Sequence, residues 1–355
     1  MPTAFINARL TDPASGLDSP GAVLVEDGRI LDLGPHLFAN GAPAGIETVD
    51  CRGHVLCPGL IDMRVFTGEP GAEHRETLAT ASEAAAAGGV TTIVVMPNTR
   101  PVIDDAALVD FIERRARDTA KVHVHTMAAL TKGLAGEEMT ELGLLLEAGA
   151  VAFTDGTRPV MQSQLLRRAL TYSTLFNALI VQHAEDPSLA AAGVMNEGEL
   201  STRLGLPGIP TQAETMIVER DLRLVALTGG RYHVSQVSCA ETLEVIRDAR
   251  RCGLPVTCGV SANHLALNET DIGEYRTFFK LSPPLRCERD RRAMVEGLAD
   301  GTIDVVVSGH DPQDPDNKRR PFAEAAFGAV GLETLLPVLL ERVHNEEVSL
   351  LRALE

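Results

Sequence analysis

The sequence predicts an α/β fold, a (β/α)8 barrel of the TIM type preceded by a short β-rich segment. Three observations carry this. From Val55 onward, short apolar runs alternate eight times with longer helical patterns. Parallel strands need crossover helices, and eight such units close into a barrel. Before residue 70 nothing reads as helical. Finally, hydrophobic residues make up 45% of the 355, while aromatics make up 4% and Trp is absent, so a large core must be aliphatic.

Residues 3–34 read as short strands. Ala22–Val25 is an apolar run, and Asp27-Gly28 is a hairpin turn signal ahead of Arg29–Leu33. Barrel strands are expected at 56–62, 91–96, 121–126, 150–154, 178–182, 231–237, 254–258 and 302–308. Helices are expected at 76–88, 104–118, 136–147, 162–175, 212–228, 240–251 and 288–299. Gly88-Gly89 closes the first helix and Asp104-Asp105 opens the second. The Ala-rich stretch 79–87 suits a helix rather than disorder.

The net charge of −17 repels phosphate backbones and anionic lipid, so neither nucleic acid nor a membrane is an expected partner. No run of about 18 apolar residues is present. Met1–Leu10 lacks the basic-then-apolar pattern of a secretory signal. Cys51, Cys57, Cys239, Cys252, Cys258 and Cys287 are scattered with no C-x-x-C pair, which fits reduced thiols in a cytoplasmic protein.

In such a barrel the chemistry sits at the C-terminal ends of the strands. Those ends are Asp62 to Phe66, Met96 to Thr99, Thr154-Asp155, His183 to Asp186, Gln236 to Ser238, and Ser308 to Gln313. His123-Val124-His125 has ligand-like spacing on strand three but reads as a pair of ordinary strand histidines. His74 reads as a loop residue, and His233 lacks evident metal-ligand partners. The segment 310–321, with Asp311, Asp314, Asp316 and Lys318-Arg319-Arg320, reads as a solvated loop.

Pro58-Gly59-Leu60-Ile61-Asp62 and the following Glu69-Pro70-Gly71-Ala72-Glu73-His74-Arg75-Glu76-Thr77 resemble the first barrel strand and loop of class I dihydroorotases, in the amidohydrolase superfamily. Ala86-Ala87-Gly88-Gly89-Val90-Thr91-Thr92, Met96-Pro97-Asn98-Thr99, Gln182-His183-Ala184-Glu185-Asp186, Asn196-Glu197-Gly198-Glu199, Arg203-Leu204-Gly205, Pro283-Pro284-Leu285-Arg286 and Gly301-Thr302-Ile303-Asp304 continue the match in order. The resemblance spans nearly the whole chain. It implies a barrel with a small β-sandwich built from both chain ends, and one or two zinc ions. It also implies a metal-activated water that attacks the ring amide of dihydroorotate, or the reverse closure of carbamoyl aspartate. The implied division is a sandwich half-domain at 1–54 and a barrel at 55–355, with the C-terminal sandwich strands absent. The chain stops inside a helical pattern at Leu351-Arg352-Ala353-Leu354-Glu355. The expectation is therefore a fragment, or a small domain with an uncovered sheet edge and weaker order than the barrel.

The resemblance also assigns roles position by position. The His-x-His metal ligands of the first strand fall on Arg64 and Phe66, and the substrate arginine falls on Gly68. Phe153-Thr154-Asp155-Gly156 keeps a carboxylate ligand, Asp155, and the fifth strand keeps the ligand His183. In His233-Val234-Ser235-Gln236-Val237-Ser238 the ligand histidine has become Gln236. In Gly309-His310-Asp311-Pro312-Gln313 the ligand and general base has become Gly309, and a second histidine Gln313. Asn98, a substrate-carboxylate contact, survives, while the Asn before Pro-Pro-Leu-Arg is Ser282. Four of six ligand positions thus lack a usable donor, and zinc needs three or four. Arg64 adds repulsion of about 8 kcal/mol for a divalent ion about 4 Å away at an effective dielectric near 20. Arg64 is expected to take over the metal's electrostatic role and pair with Asp155, because an unpaired buried carboxylate is costly.

The leading expectation is therefore a non-catalytic dihydroorotase-like protein of pyrimidine (UMP) biosynthesis: no intact catalytic residue, no metal, and a structural partnership with aspartate transcarbamoylase, with homo-oligomers also open. Pocket remnants would be Asn98, His310 and Arg64. One alternative is an active cyclic-amide hydrolase with a zinc site rebuilt from His183, His310, Asp155 and Asp311. Another is a metal-free module that binds a carboxylated pyrimidine through Asn98 and Arg64. Fold alone does not choose among them.

Overall fold

The computed structural model describes residues 2–38, 41 and 45–355. They form two compact units: residues up to Leu60 together with Val348–Glu355, and Ile61–Glu347. The expected boundary after residue 54 thus moves to residue 60, and the C-terminal helix groups with the small unit.

The small unit is a sheet of β1 (Thr3–Asp12), β2 (Leu17–Glu26), β3 (Arg29–Gly34), β4 (Glu47–Asp50) and β5 (Val55–Leu56). β3, β2 and β1 pair antiparallel, while β4 and β5 both run parallel to β1. The predicted hairpin turn forms as read: Asp27 (φ 50°) and Gly28 (φ 73°) supply the two left-handed residues that match the strand twist. Leu56, expected to open the first barrel strand, pairs instead with Leu10, and Val55 before it pairs with Arg9.

The barrel unit lays out eight strands in the order β6 (Leu60–Val65), β7 (Val90–Val95), β8 (His123–Ala128), β9 (Ala152–Phe153), β10 (Leu179–Gln182), β13 (Arg231–Val234), β14 (Val256–Ser261) and β15 (Val305–Val307). Every ladder resolved along it is parallel, as between Thr92 and His123 or Tyr232 and Val256. The two ends of the sheet meet where the Phe66 N–H donates to the His310 carbonyl at 3.0 Å. Inside lie Val94, Met96, Met127, Ala152 and Val181, an aliphatic and thioether filling of the kind the composition demands. β11 (Met195–Asn196) and β12 (Gly208–Ile209) form a separate two-stranded ladder, near a cluster of Val194, Met195, Ile272 and Phe322.

The helices at 212–228, 240–251 and 288–299 match the sequence reading residue for residue. The helix expected at 136–147 begins only at Leu142. Gly136 sits at φ 70°, and the Thr140 hydroxyl donates to the Ala129 carbonyl at 2.7 Å, so the backbone turns before it can coil. His123 and His125 are exposed near the start of β8, at the opposite end from the strand exits. No helix among the described residues is long and apolar enough to cross a membrane.

Helix 212–228 is tied to the barrel by a polar triad centred on the buried Asp221. The Tyr232 hydroxyl donates to Asp221 Oδ2 at 2.7 Å, and Arg220 reaches Asp221 Oδ1 at 2.6 Å. The Arg220 guanidinium also donates to the Val160 and Met161 carbonyls. Burial pushes the Asp221 carboxyl up to about 6, against the pull of Arg220. Replacing Asp221 by Ala leaves a half-buried cation and a buried hydroxyl without that acceptor. It should cost about 3–5 kcal/mol in urea unfolding, whereas Tyr232→Phe should cost about 1 kcal/mol. Equal small losses for both variants would contradict this account.

Candidate functional site

At the strand exits a cavity of about 400 Å³ opens, its wall including Arg64, Asn98, Gln236, Gly309, Asp311 and His264. The family-like remnants Asp155, His183 and His310 are not part of that wall. Of the substituted positions, Arg64, Gln236, Gly309, Ser282 and Gln313 line the cavity with the surviving Asn98, while Phe66 and Gly68 do not.

β6 delivers Arg64. Its backbone N–H donates to Asp62 Oδ1 at 3.1 Å, and the other oxygen of Asp62 accepts from the Ser308 N–H at 3.2 Å. Asp62 is fully buried, and burial raises its carboxyl above the ordinary range. The Arg64 side chain is 6% exposed and its Nε is buried without a hydrogen-bond partner. No ion pair to its guanidinium forms among the described residues. Burial works against its charge, and the fields of Asp311 and Asp62 work for it.

The expected Arg64–Asp155 pair does not form. Asp155 is bound instead by Thr131, whose N–H donates to Oδ1 at 2.8 Å and whose hydroxyl donates to Oδ2 at 2.5 Å. Both oxygens thereby accept from one residue, and no cation pairs with the carboxylate among the described residues. Burial nonetheless raises its pKa.

Beside Arg64, Phe66 packs flat under another cation, with the Arg75 guanidinium carbon 4.2 Å from its ring centroid. Arg75 also pairs with Asp311 at 2.6 Å and donates to the Pro312 carbonyl at 2.9 Å. The segment 310–321 is therefore more than a solvated loop. Asp311 is a wall residue, and the Lys318 ammonium is buried and donates to the Thr277 and Ala326 carbonyls. Burial pulls that lysine down to about 8.

His183 is buried on β10's exit with Nε2 3.0 Å from the Ser282 hydroxyl. Burial and then the Arg64 charge depress it to about 3, so it is neutral at pH 7. His310, expected as a pocket remnant, is not among the residues that line the cavity. Its Nδ1 accepts from the Gly331 N–H and its Nε2 lies 3.2 Å from Glu76 Oε2. His233 bonds the Thr257 hydroxyl at 2.8 Å, and His74 lies 3.3 Å from Asp314.

Two glycines fix the local backbone. Gly309 sits at φ 66°, and a Cβ there would lie 2.9 Å from Ser261 Oγ and 3.2 Å from Gln236 Nε2. Gly68 sits at φ 69°, with 2.5 Å between a built Cβ and the Ala72 carbonyl oxygen. Restoring an arginine at 68 would require the backbone itself to move, whereas a carboxylate at 309 would require the Ser261 and Gln236 side chains to shift and a left-handed backbone to be kept.

Among the described residues, no three His, Cys, Asp or Glu side chains are placed to share a metal. Arg64, Phe66, Gln236 and Gly309 offer either no lone pair of the right kind or a positive charge. What the sequence did not single out is His264, on the short helix after β14, and Arg75 and Glu185, named there only within longer motifs. All three line the cavity. The rule that placed the other candidates at strand exits also reaches His264.

A (β/α)8 barrel with a polar cavity at its strand exits is built as barrels that bind small molecules in their loops are built. Comparison narrows the class. A family model described as dihydro-orotase-like matches residues 53–242. The chain is 45% identical over 349 residues to the dihydroorotase of Wolbachia sp. subsp. Brugia malayi, covering 98% of this chain and 78% of the relative. It is 46% identical over 350 residues to that of Ehrlichia canis, with the same two coverages. Among solved structures it is similar to the L-hydantoinase (dihydropyrimidinase) from Arthrobacter aurescens, with a TM-score of 0.86, 25% identity, and 99% of this chain and 79% of that one covered. The chain belongs to the dihydroorotase-like family and has the amidohydrolase barrel fold.

His264 gives this site a pH signature. Burial, partly opposed by the Pro284 carbonyl, depresses it to about 4, below the 6.5 of an unfolded histidine. Between those values the unfolded chain binds the extra proton, so stability falls as pH falls. Relative to His264→Gln, which keeps a donor toward Pro283 and Pro284, the unaltered chain should lose about 1.4 kcal/mol per pH unit from about 6.5 to about 4. Parallel stability–pH curves would contradict it.

Proposed function

We propose that this chain is a cytoplasmic protein of de novo pyrimidine (UMP) synthesis that keeps the dihydroorotase barrel without running zinc-dependent ring hydrolysis. The pathway is supported by curated dihydroorotases 45–46% identical over nearly the whole chain. The loss of hydrolysis rests on one observation: an arginine, buried and without an ion pair, stands on the cavity wall at a metal-ligand position of the family. A divalent ion beside it would meet repulsion of several kcal/mol. The position of the family's general base is a glycine at φ 66°, with the Ser261 and Gln236 side chains close to where a Cβ would stand. The role left to such a chain is a structural one, and the proposed partner, on the resemblance alone, is aspartate transcarbamoylase.

The relatives' names favour a second reading, an active dihydroorotase that interconverts dihydroorotate plus water with N-carbamoyl-aspartate. Its rebuilt site would have to free Asp155 from Thr131, Asp311 from Arg75 and His310 from Glu76. Zinc content and turnover on dihydroorotate and N-carbamoyl-aspartate, measured together on the purified chain after supply of zinc, separate the two. The first reading expects zinc well below one per chain and no turnover above background. Zinc near one per chain with turnover would establish the second.

A further inference from the structure

The loop that follows the last barrel strand, residues 310–329, is fastened in two places by two different kinds of bond. Its base is closed by a bridge between His310 and Ala329. There, three consecutive residues of the loop after β6 grip it. His74 lies 3.3 Å from Asp314, and Glu76 Oε2 lies 3.2 Å from His310 Nε2. Arg75 pairs with Asp311 at 2.6 Å and donates to the Pro312 carbonyl at 2.9 Å. The base is thus held by backbone pairing and by opposite charges.

Farther out, the loop is held to segment 277–280 by two ammonium groups and no carboxylate. Lys318, at the end of the short helix Pro315–Lys318, donates to the Thr277 and Ala326 carbonyls at 3.0 and 2.8 Å. Its own carbonyl accepts from the Thr277 hydroxyl. Lys280 donates to the Ala323 carbonyl at 2.9 Å and stands 4.5 Å from the centroid of the Phe327 ring. Lys318 is 6% exposed and Lys280 2%, and no carboxylate pairs with either ammonium among the described residues. Carbonyl dipoles and a ring face return only part of the hydration that a buried ammonium gives up. This outer fastening therefore carries a standing electrostatic cost that the base does not. The outer part of the loop also supplies Phe327 to the cavity wall, while the base supplies Asp311 and Gln313.

We propose that residues 315–327 form a strap, hinged at the base by the His310–Ala329 bridge and the Arg75–Asp311 pair, that lifts off segment 277–280 and opens the barrel mouth beside Phe327. Lifting returns both ammonium groups to water, so the strap is poised to open. It governs entry whether or not the mouth holds a metal. Burial brings Lys318 down to about 8 from the 10.5 of an exposed lysine. The field of Asp311, at the base, opposes that shift, and the charge of Lys280 adds to it. On its own element, Asp316 and Arg319 pair with each other in solvent. Burial lowers Lys280 as well. Between about 8 and 10.5 the open strap binds a proton that the closed strap does not. Opening therefore becomes rarer as pH rises, by about 10-fold per unit.

Quench-flow hydrogen exchange of the full chain, read by mass spectrometry from about pH 7 to about pH 10, tests this. Rates are divided by the intrinsic rate at each pH. At about pH 7, exchange in residues 317–328 should be about 10-fold or more faster than in residues 308–314. Above about pH 8 it should fall about 10-fold per unit, while that of 308–314 stays level. Lys318→Met should remove most of the slope. Ammonium groups that act as fixed staples give the opposite sign, with exchange in 317–328 rising as they lose their protons. That sign overturns the proposal. So does a flat profile in the unaltered chain, a strap no faster than its base, or a slope that Lys318→Met leaves unchanged. Should Lys318→Met fail to fold, the sign of the slope in the unaltered chain decides by itself.

Discussion

A guanidinium held at the mouth of a closed barrel, with no carboxylate spare to receive it, sets the terms for the rest of this site. Arg64 is placed by its strand. Its backbone N–H is fastened to Asp62, which in turn fastens the Ser308 N–H of the last strand, so the closure of the barrel and the position of the charge share one buried carboxylate. The field of that charge reaches His183, where it reinforces the effect of burial and keeps the imidazole neutral.

Around this charge, the groups that could have bound a metal have been drawn into ordinary structural bonds. Asp155 is taken up by Thr131, His310 by Glu76 and the Gly331 N–H, and Asp311 by Arg75. Phe66 contributes a ring face where a ligating nitrogen would have stood, and Arg75 uses it as a seat. Each replacement is locally sound, because each buried polar group gains a partner. The exceptions on the wall are Arg64 Nε, the Asn98 and Gln236 carboxamide oxygens, Glu185 Oε2 and His264 Nδ1. Buried polar groups left unmet in an otherwise well-satisfied region are where binding is most economically sought.

Much of this architecture was legible in the sequence. Helices 212–228, 240–251 and 288–299 could be bounded to the residue, because their apolar period is long and each is framed by turn-forming segments. The hairpin at Asp27-Gly28 declared itself through the one dipeptide that suits its backbone. Less legible was the allegiance of Val55 and Leu56, an apolar run whose partner, β1, lies some forty-six residues earlier in register. The late start of helix Leu142–Glu147 depended on a Thr140 hydroxyl reaching back to Ala129, a side-chain competition that periodicity does not report. At the site, residue identities were readable but their partners were not. Thr131 lies 24 residues from Asp155 and Glu76 lies 234 from His310. Such pairings are products of closure, and charge alone had suggested Arg64 for Asp155. The standing of Asp311 as a wall residue rather than a solvated one came from the same cause.

The central claim is that a fixed positive charge stands where the family keeps a metal. Its most direct test is a crystal structure grown in excess zinc, with anomalous data collected at the zinc edge. The account predicts no zinc peak within the mouth and the Arg64 guanidinium still on its wall. A peak bonded to His183 and Asp155, with Arg64 turned away and Thr131 released, would contradict it.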